Sequence, residues 1–218
     1  MYGHECDITE PTELAKAISL CASPDILSGI DTVVYCAGVM TPIARIEHLK
    51  LEDMRYTFEV NLFGLVAVAQ LTLPHLRRAR IAKPLNAGYG KLLALSSKCD
   101  REVTYHGWSS YCTSKAALTR FVSCLAHEER GITVQGVYPN LTRTGMVEDL
   151  VQGGYKGVMA DHERERFKTW NRMGEDMVEP PEWCGKAVAK LALGLFEGGE
   201  NGRTLGYNEH VPRKIVGT

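Results

Sequence analysis

Three short apolar runs, set far apart and each followed by a small or polar turn, constrain this chain more than any other feature. Asp31-Thr32-Val33-Val34-Tyr35-Cys36 ends at Ala37-Gly38, Lys91 to Leu95 ends at Ser96-Ser97, and Ile132 to Val137 ends at Pro139-Asn140. Apolar and β-branched residues without alternation predict strands buried on both faces, as in a parallel sheet. Parallel neighbours need crossovers, and the chain between the runs reads as helix. Glu10-Pro11 opens a helix to about Leu20, with proline in the first turn, where its missing N–H is harmless. Leu51 to Arg80 is a long helical region that Pro74 is expected to kink or break. Ser109 to Glu129 carries Leu118, Phe121, Val122 and Leu125 at helical spacing, with Gly131 placed to stop it. Glu182 to Leu195 predicts a further helix and Arg203 to Tyr207 a last short strand. Thr144 to Pro181 is too long for an ordinary connection and reads as a lid. The whole predicts an α/β fold, one domain with a doubly wound parallel sheet and right-handed crossovers.

Composition narrows the function. With 218 residues, 44% hydrophobic and 23% charged, the chain fits one soluble globular domain. A net charge of -1 supplies no basic excess for nucleic acid or an anionic membrane, so neither is an expected partner. The longest apolar stretch, Leu62 to Leu73, is interrupted by Gln70 and is too short to span a bilayer. Residues 1–20 carry Glu5, Asp7, Glu10 and Glu13 and lack a signal pattern, so a cytoplasmic location is expected. Seven cysteines without a C-x-x-C pair and seven histidines without an H-x3-H pair predict neither a disulfide framework nor a metal site.

Ligands bind such sheets beyond the carboxyl ends of the strands, where these turns lie. Near them, Tyr111-Cys112-Thr113-Ser114-Lys115 puts a phenol and an ammonium one helical turn apart on one face. Chance alone supplies roughly half such a match in a chain of this composition, so the spacing needs context. Ser97 lies fourteen residues before Tyr111 at the end of a strand. Asn61, in Val60-Asn61-Leu62-Phe63-Gly64, stands among apolar neighbours in a helix, where an amide needs a partner.

In this order and at these distances, the residues resemble the short-chain dehydrogenase/reductase family. The resemblance runs from Cys6-Asp7-Ile8-Thr9 to Gly206 and is most specific over Trp108 to Leu118. That run, with the tail Leu205-Gly206-Tyr207-Asn208, looks most like the sepiapterin- and benzil-reductase-like branch. It implies a Rossmann-like fold and hydride transfer between a nicotinamide and a carbonyl or secondary alcohol. The implied cofactor is NADP, with NAD left open, and the partner a small-molecule carbonyl or alcohol. Tyr111 would be the general acid/base, its pKa brought down by Lys115. Ser97 would bind the substrate oxygen and Asn61 would order a water leading from Lys115. On the cofactor side the resemblance implies Asp7 at the adenine, Ala37 and Gly38 at the backbone approach, and Lys115 at the nicotinamide ribose. It adds Tyr111, Asn61 and Thr144 around the nicotinamide. Asp7 also suits a helix-capping carboxylate, and Thr144 a plain helix cap. Cys36 stands where the family usually has Asn, and Asn140 where it usually has Gly, a side chain that would intrude on the ligand unless it turned away. Tyr105, His106, Trp108, Met146 and Trp170 suit either an aromatic substrate pocket or ordinary packing.

One family element has no counterpart. No Thr-Gly-x3-Gly-x-Gly string occurs, and Asn86-Ala87-Gly88-Tyr89-Gly90 precedes a strand and reads as a turn. The match starts just after the family's third strand, so a first βαβ unit of roughly 30 residues is expected to be absent. Losing two or three charge-assisted bonds to the pyrophosphate would cost roughly 3–9 kcal/mol of cofactor binding. It would also leave Thr32–Cys36 as an open edge that invites pairing into a homo-oligomer. Two readings stay open: a competent carbonyl reductase whose start is incomplete, or a truncated, weakly catalytic relative that acts by oligomerising. The extended epimerase and dehydratase relatives share Tyr-x3-Lys, but the short C-terminal portion leaves little room for their substrate region.

Overall fold

In the computed structural model, residues 3–24, 29–40, 42–82, 90–196 and 198–216 are described. Four strands, β1 (Thr32–Tyr35), β2 (Lys91–Leu95), β3 (Thr133–Tyr138) and β4 (Thr204–Gly206), form one sheet in the order β1-β2-β3-β4. Each neighbouring pair is parallel, with Val33 opposite Leu92 and Leu92 opposite Val134. All four strands therefore deliver their following turns to one edge of the sheet. Of the turn read at 86–90, residues 86–89 lie outside the described residues.

Alternate side chains of the strands build two cores. On one face Tyr35, Leu92, Ala94 and Val134 meet α1 (Pro11–Ala22), α3 (Gly64–Ala82) and α4 (Ser109–Glu128) through Leu14, Leu65, Leu76, Leu118 and Val122. On the other, Leu93 and Val137 meet α7 (Pro181–Ala192) and the tail helices α8 (Tyr207–His210) and α9 (Arg213–Val216). Helices on both faces make the sheet doubly wound, as expected. Of β1, only Tyr35 is fully buried; Thr32, Val33 and Val34 are half-buried. The expectation of full burial on both faces fails there because β1 pairs with a strand on one side only among the described residues.

The long helical region holds together past Pro74. It starts as α2 (Leu51–Phe58), passes through a π-helical turn at Glu59–Phe63 and continues as α3 to Ala82. Its Leu51–Ala79 span is long and apolar enough to cross a membrane by composition, yet Leu65, Ala69 and Leu76 are fully engaged with the sheet and its neighbours. The π turn has a physical cause: it frees the Val60 carbonyl, which accepts the Tyr35 hydroxyl from β1. At Gly64, a Cβ would stand 2.5 Å from that hydroxyl oxygen and 2.9 Å from Ile8, so only glycine lets helix and strand approach this closely. Helix α4 stops at Glu128 rather than at Gly131, and Arg77 of α3 pairs with Glu129 just beyond it. Thr144 to Pro181 folds into α5 (Gly145–Gln152) and α6 (Asp161–Arg172), the segment read as a lid.

Candidate active site

The turns after β1, β2 and β3 converge with the first turns of α4. Ser97 caps a short 3-10 turn, Lys98–Asp100, and its Oγ accepts the Cys99 N–H at 3.2 Å. The same hydroxyl stands near enough to the Tyr111 phenol to draw its pKa down somewhat. Behind it, Ser96 Oγ lies 2.8 Å from Thr119 Oγ1, and Thr119 donates to Asp100 Oδ2 at 2.6 Å. This chain ties the exit of β2 to α4 and fixes the Ser97 turn against the helix that carries Tyr111.

Tyr111 and Lys115 share one face of α4, as their spacing predicts. Lys115 is 4% exposed, and its Nζ donates to the Leu95 carbonyl at 2.8 Å. Burial draws the ammonium down to about 8, partly opposed by the nearby Cys36 thiol. Nζ sits 5.9 Å from the centre of the Tyr111 ring. The expected lowering of the Tyr111 pKa is reversed here. Burial pushes the phenol up to about 12, and the nearby Ser97 hydroxyl only partly offsets it. The ammonium is directed to a carbonyl and is itself poorly solvated, so desolvation decides the sign. At neutral pH Tyr111 is held protonated.

Asn61 joins this group from the π turn and is fully buried. Its Oδ1 accepts Val39 N–H at 2.8 Å, while Nδ2 donates to Val39 O and to Ser114 Oγ, each at 2.9 Å. Ser114 in turn donates to the Tyr111 carbonyl at 2.8 Å. The amide therefore clamps the exit of β1 onto the first turn of α4. Both of its N–H donors are engaged, which leaves one oxygen lone pair for the water that the resemblance assigns to it. Beside it Gly38 is exposed, and a Cβ there would stand 3.3 Å from Lys115 Nζ and 3.4 Å from Asn61 Oδ1. Glycine thus keeps open a cradle in front of the ammonium and the amide, of the kind a nicotinamide ribose needs; Ala37, half-buried, precedes it.

Other predicted residues lie outside this cluster. Asp7 is exposed; its Oδ1 accepts both the N–H and the hydroxyl of Thr9 at 2.8 Å, which holds the carboxyl below its usual range. Thr144 precedes α5 without a capping bond and donates to Thr142 O at 3.3 Å. Among the described residues no hydrogen bond ties either to Tyr111. Cys36, at the mouth of the cradle, is exposed. Asn140 turns to Glu179, donating to its Oε1 at 2.9 Å, while Tyr207 donates to Oε2 at 2.7 Å.

An aromatic wall borders Tyr111. Trp108 meets the phenol ring edge-on at 5.9 Å, and Tyr105 lies 4.7 Å from Trp108. Phe167 of α6 reaches Tyr105 at 5.1 Å, Trp108 at 6.1 Å and Trp170 at 5.3 Å. Of the pocket candidates, Tyr105, Trp108 and Trp170 belong to this wall; Met146 stays exposed on α5. His106 instead faces Glu163, a buried carboxylate 2.9 Å from its Nδ1 that also accepts the His106 and Ala160 N–H groups. Phe167, Glu163 and Glu179 escaped the sequence reading. Phe167 and Trp170 were detectable as two aromatics at i, i+3 in an otherwise charged helix; nothing local marks the two carboxylates as buried.

The profile of the short chain dehydrogenases matches residues 1–154. An uncharacterised oxidoreductase of Schizosaccharomyces pombe is 30% identical over 84% of this chain and 68% of its own. Benzil reductase ((S)-benzoin forming) of Bacillus subtilis is 27% identical over 92% of this chain and 78% of its own. Among solved structures, the KRED1-Pglu enzyme superposes with a TM-score of 0.79 at 31% identity, covering 91% of this chain and 77% of that one. A short chain dehydrogenase/reductase of Saccharomyces cerevisiae reaches 0.83 at 24% identity, over 96% and 77%, a likeness of fold.

Proposed function

Because the chain belongs to the short chain dehydrogenase/reductase family, whose oxidoreductases move hydride to or from a nicotinamide, we propose that it is an NADP-dependent carbonyl reductase with Tyr111 as its proton donor. The observation that carries the reading is the convergence of Ser97, Tyr111, Lys115 and Asn61 in front of the Gly38 cradle. The bound nicotinamide would supply the hydride, or accept it in the reverse direction. Gly38 and Ala37 would let it approach the backbone, and Lys115 would hold its ribose. Asp7 and Thr144 are carried as outer contacts on the resemblance alone. NADP rather than NAD follows from the likeness to the sepiapterin- and benzil-reductase-like branch.

Each residue has a task its setting suits. Tyr111, protonated at neutral pH, gives its proton to the carbonyl oxygen as negative charge develops there. Ser97, already within reach of the phenol, hydrogen-bonds the same oxygen. Lys115 places its positive charge beside the phenolate that remains. That charge is worth most when the site is closed to water. Asn61 keeps the β1 exit and the Tyr111 turn in register.

The aromatic wall beside Tyr111 favours flat, aryl-bearing carbonyl compounds, in keeping with the benzil-reductase relatives. The 145–172 helices would close over such a substrate as a lid. The test is titration of the purified chain with NADPH and NADH, followed by turnover with benzil and an aliphatic ketone. Saturable, preferential NADPH binding with benzil reduction is expected. No saturable binding of either nucleotide up to millimolar concentration would refute the proposal. In Tyr111→Phe, kcat should fall about 10²–10⁴-fold with NADPH affinity unchanged; comparable turnover would remove Tyr111 from its role.

A further inference from the structure

Asn140 and Glu179 meet at the exit of β3, a pair to which the proposed reaction gives no task. Leu95 of β2 stands opposite Val137 of β3, and the Ser96 N–H donates to the Val137 carbonyl at 2.8 Å. The turn Pro139-Asn140 therefore leaves the sheet beside Ser96-Ser97. On its other side Tyr138 stands opposite Gly206, which brings Tyr207 alongside. Glu179, two residues before α7, is locked to this turn by its main chain. Its N–H donates to the Leu141 carbonyl at 2.8 Å, and its own carbonyl accepts the Arg143 N–H at 2.9 Å. Glu179 is 4% exposed, and its side chain divides its oxygens, Oε1 to Asn140 Nδ2 and Oε2 to the Tyr207 hydroxyl. Tyr207 is fully buried with Leu93 and Val137 against α7, on the face of the sheet opposite α4. The Asn140 amide is thus drawn toward α7 and away from the helix that carries Tyr111.

We propose that Glu179 is a positioning residue: it tethers the Asn140 amide outside the site and so keeps clear the space at the β3 exit that the nicotinamide enters. The identity of that ligand rests on the reductase reading; the tether rests on the hydrogen bonds alone. Ligands of doubly wound sheets lie beyond the carboxyl ends of the strands. A side chain on this turn therefore has two places to go, into that space or back against α7. An untethered amide, with two donors and an acceptor to satisfy, would seek partners among the polar groups of the site and compete with the ligand for them.

The tether is strong enough to decide the position. A hydrogen bond to a buried carboxylate biases a two-position equilibrium by roughly tenfold or more. Apparent affinity falls with the fraction of molecules in which the space is clear, so losing the tether should weaken cofactor binding by about tenfold. The main-chain bonds of Glu179 do not involve its side chain, so the turn keeps its place when the carboxylate is removed.

The test reads the tether and the cofactor separately. In the full chain, the Asn140 side-chain amide is identified by NMR as the proton–nitrogen signal pair that Asn140→Gly removes. With no ligand added, it should be displaced from the position of a solvated asparagine and return there in Glu179→Ala; a solvated position in the wild type would overturn the tether. NADPH is then titrated into the variants while fluorescence is followed. Asn140→Gly and Asn140→Leu lose the same hydrogen bond, but only the leucine variant has a side chain to enter the site. The glycine variant should bind at least as tightly as wild type, and the leucine variant about tenfold or more weakly. Glu179→Ala should also bind about tenfold more weakly. Adding Asn140→Gly to it should restore affinity while the urea midpoint stays lowered, because the buried Tyr207 hydroxyl has still lost Glu179. Equal affinity in wild type and Glu179→Ala, or no recovery in the double variant, would overturn the gate. If Glu179→Ala does not fold, equal affinity of Asn140→Gly and Asn140→Leu would do so. A tethered amide in a chain that binds no nucleotide refutes the reductase reading instead.

Discussion

Replacing Asn61 by leucine isolates what the amide does, because the two side chains are similar in size and leucine is the better helix former. The structure gives Asn61 three hydrogen bonds, to Val39 N, Val39 O and Ser114 Oγ, at complete burial. At about 0.5–1.5 kcal/mol each, their loss costs roughly 1.5–4.5 kcal/mol. The upper half of that range applies to Ser114, which is fully buried and cannot turn to water, while half-buried Val39 recovers part of its hydration. A net loss of about 3 kcal/mol would lower Tm by about 6–12 °C in a domain of this size. Urea unfolding followed by far-UV circular dichroism gives the difference directly, provided the m-value is unchanged. A companion Ser114→Ala and the double variant close a cycle whose coupling should be about 1 kcal/mol. A loss below 1 kcal/mol in Asn61→Leu, or no coupling to Ser114, would show that the clamp is not what holds the β1 exit to α4.

Three further outcomes test the surroundings. Lys115→Met should remove a pH dependence: with its pKa near 8 in the fold and an ordinary lysine value when unfolded, Lys115 binds fewer protons folded than unfolded between these limits. Its penalty is full below pH 8, and wild-type stability should gain about 2 kcal/mol relative to the variant from pH 8 to 10, measured by urea midpoints; parallel curves would refute the buried ammonium. Phe167→Ala should cost about 3–5 kcal/mol by the same assay, and a loss under 1 kcal/mol would mean that α6 does not pack on the aromatic wall. Glu163→Gln, which removes the charge that His106 and Ala160 N–H face, should cost about 1–3 kcal/mol in thermal unfolding, and an unchanged Tm would show the pair to be incidental.

Much of the scaffold was legible because its determinants are local. β2 was read at its observed bounds because burial on both faces leaves an unbroken run, and α1 and α4 to within two residues because burial on one face writes a helical period into each. Pro74 does not break the helix, because a break depends on what tertiary packing supplies: α3 is held on one side by the sheet and continues past the missing bond. The π turn was illegible for a related reason. Nothing in Val60-Asn61-Leu62 announces it; the hydroxyl that takes the freed carbonyl comes from Tyr35, 25 residues away. Likewise the partners that bury Glu163 and Glu179 come from distant segments, and no local pattern distinguishes them from surface carboxylates.

The site shows where residue identity stops being enough. Order and spacing pointed to Ser97, Tyr111, Lys115 and Asn61 as one group, but the sign of the Tyr111 shift is opposite to the expectation built on a neighbouring cation. A charge lowers a phenol's pKa only if it is close and the phenol keeps some solvation. Here Nζ is committed to Leu95 O, and both groups are buried enough that each is pushed toward its neutral form, Tyr111 up and Lys115 down. The raised pKa keeps the proton on Tyr111 at neutral pH, where the carbonyl-reducing direction needs it, but also makes the phenol a weaker acid. Donation therefore depends on stabilising the phenolate that it leaves. A phenolate on Tyr111 arises in both directions, and Lys115, 5.9 Å from the ring centre and bound to the Leu95 carbonyl, is the cation placed nearest to stabilise it among the contacts described.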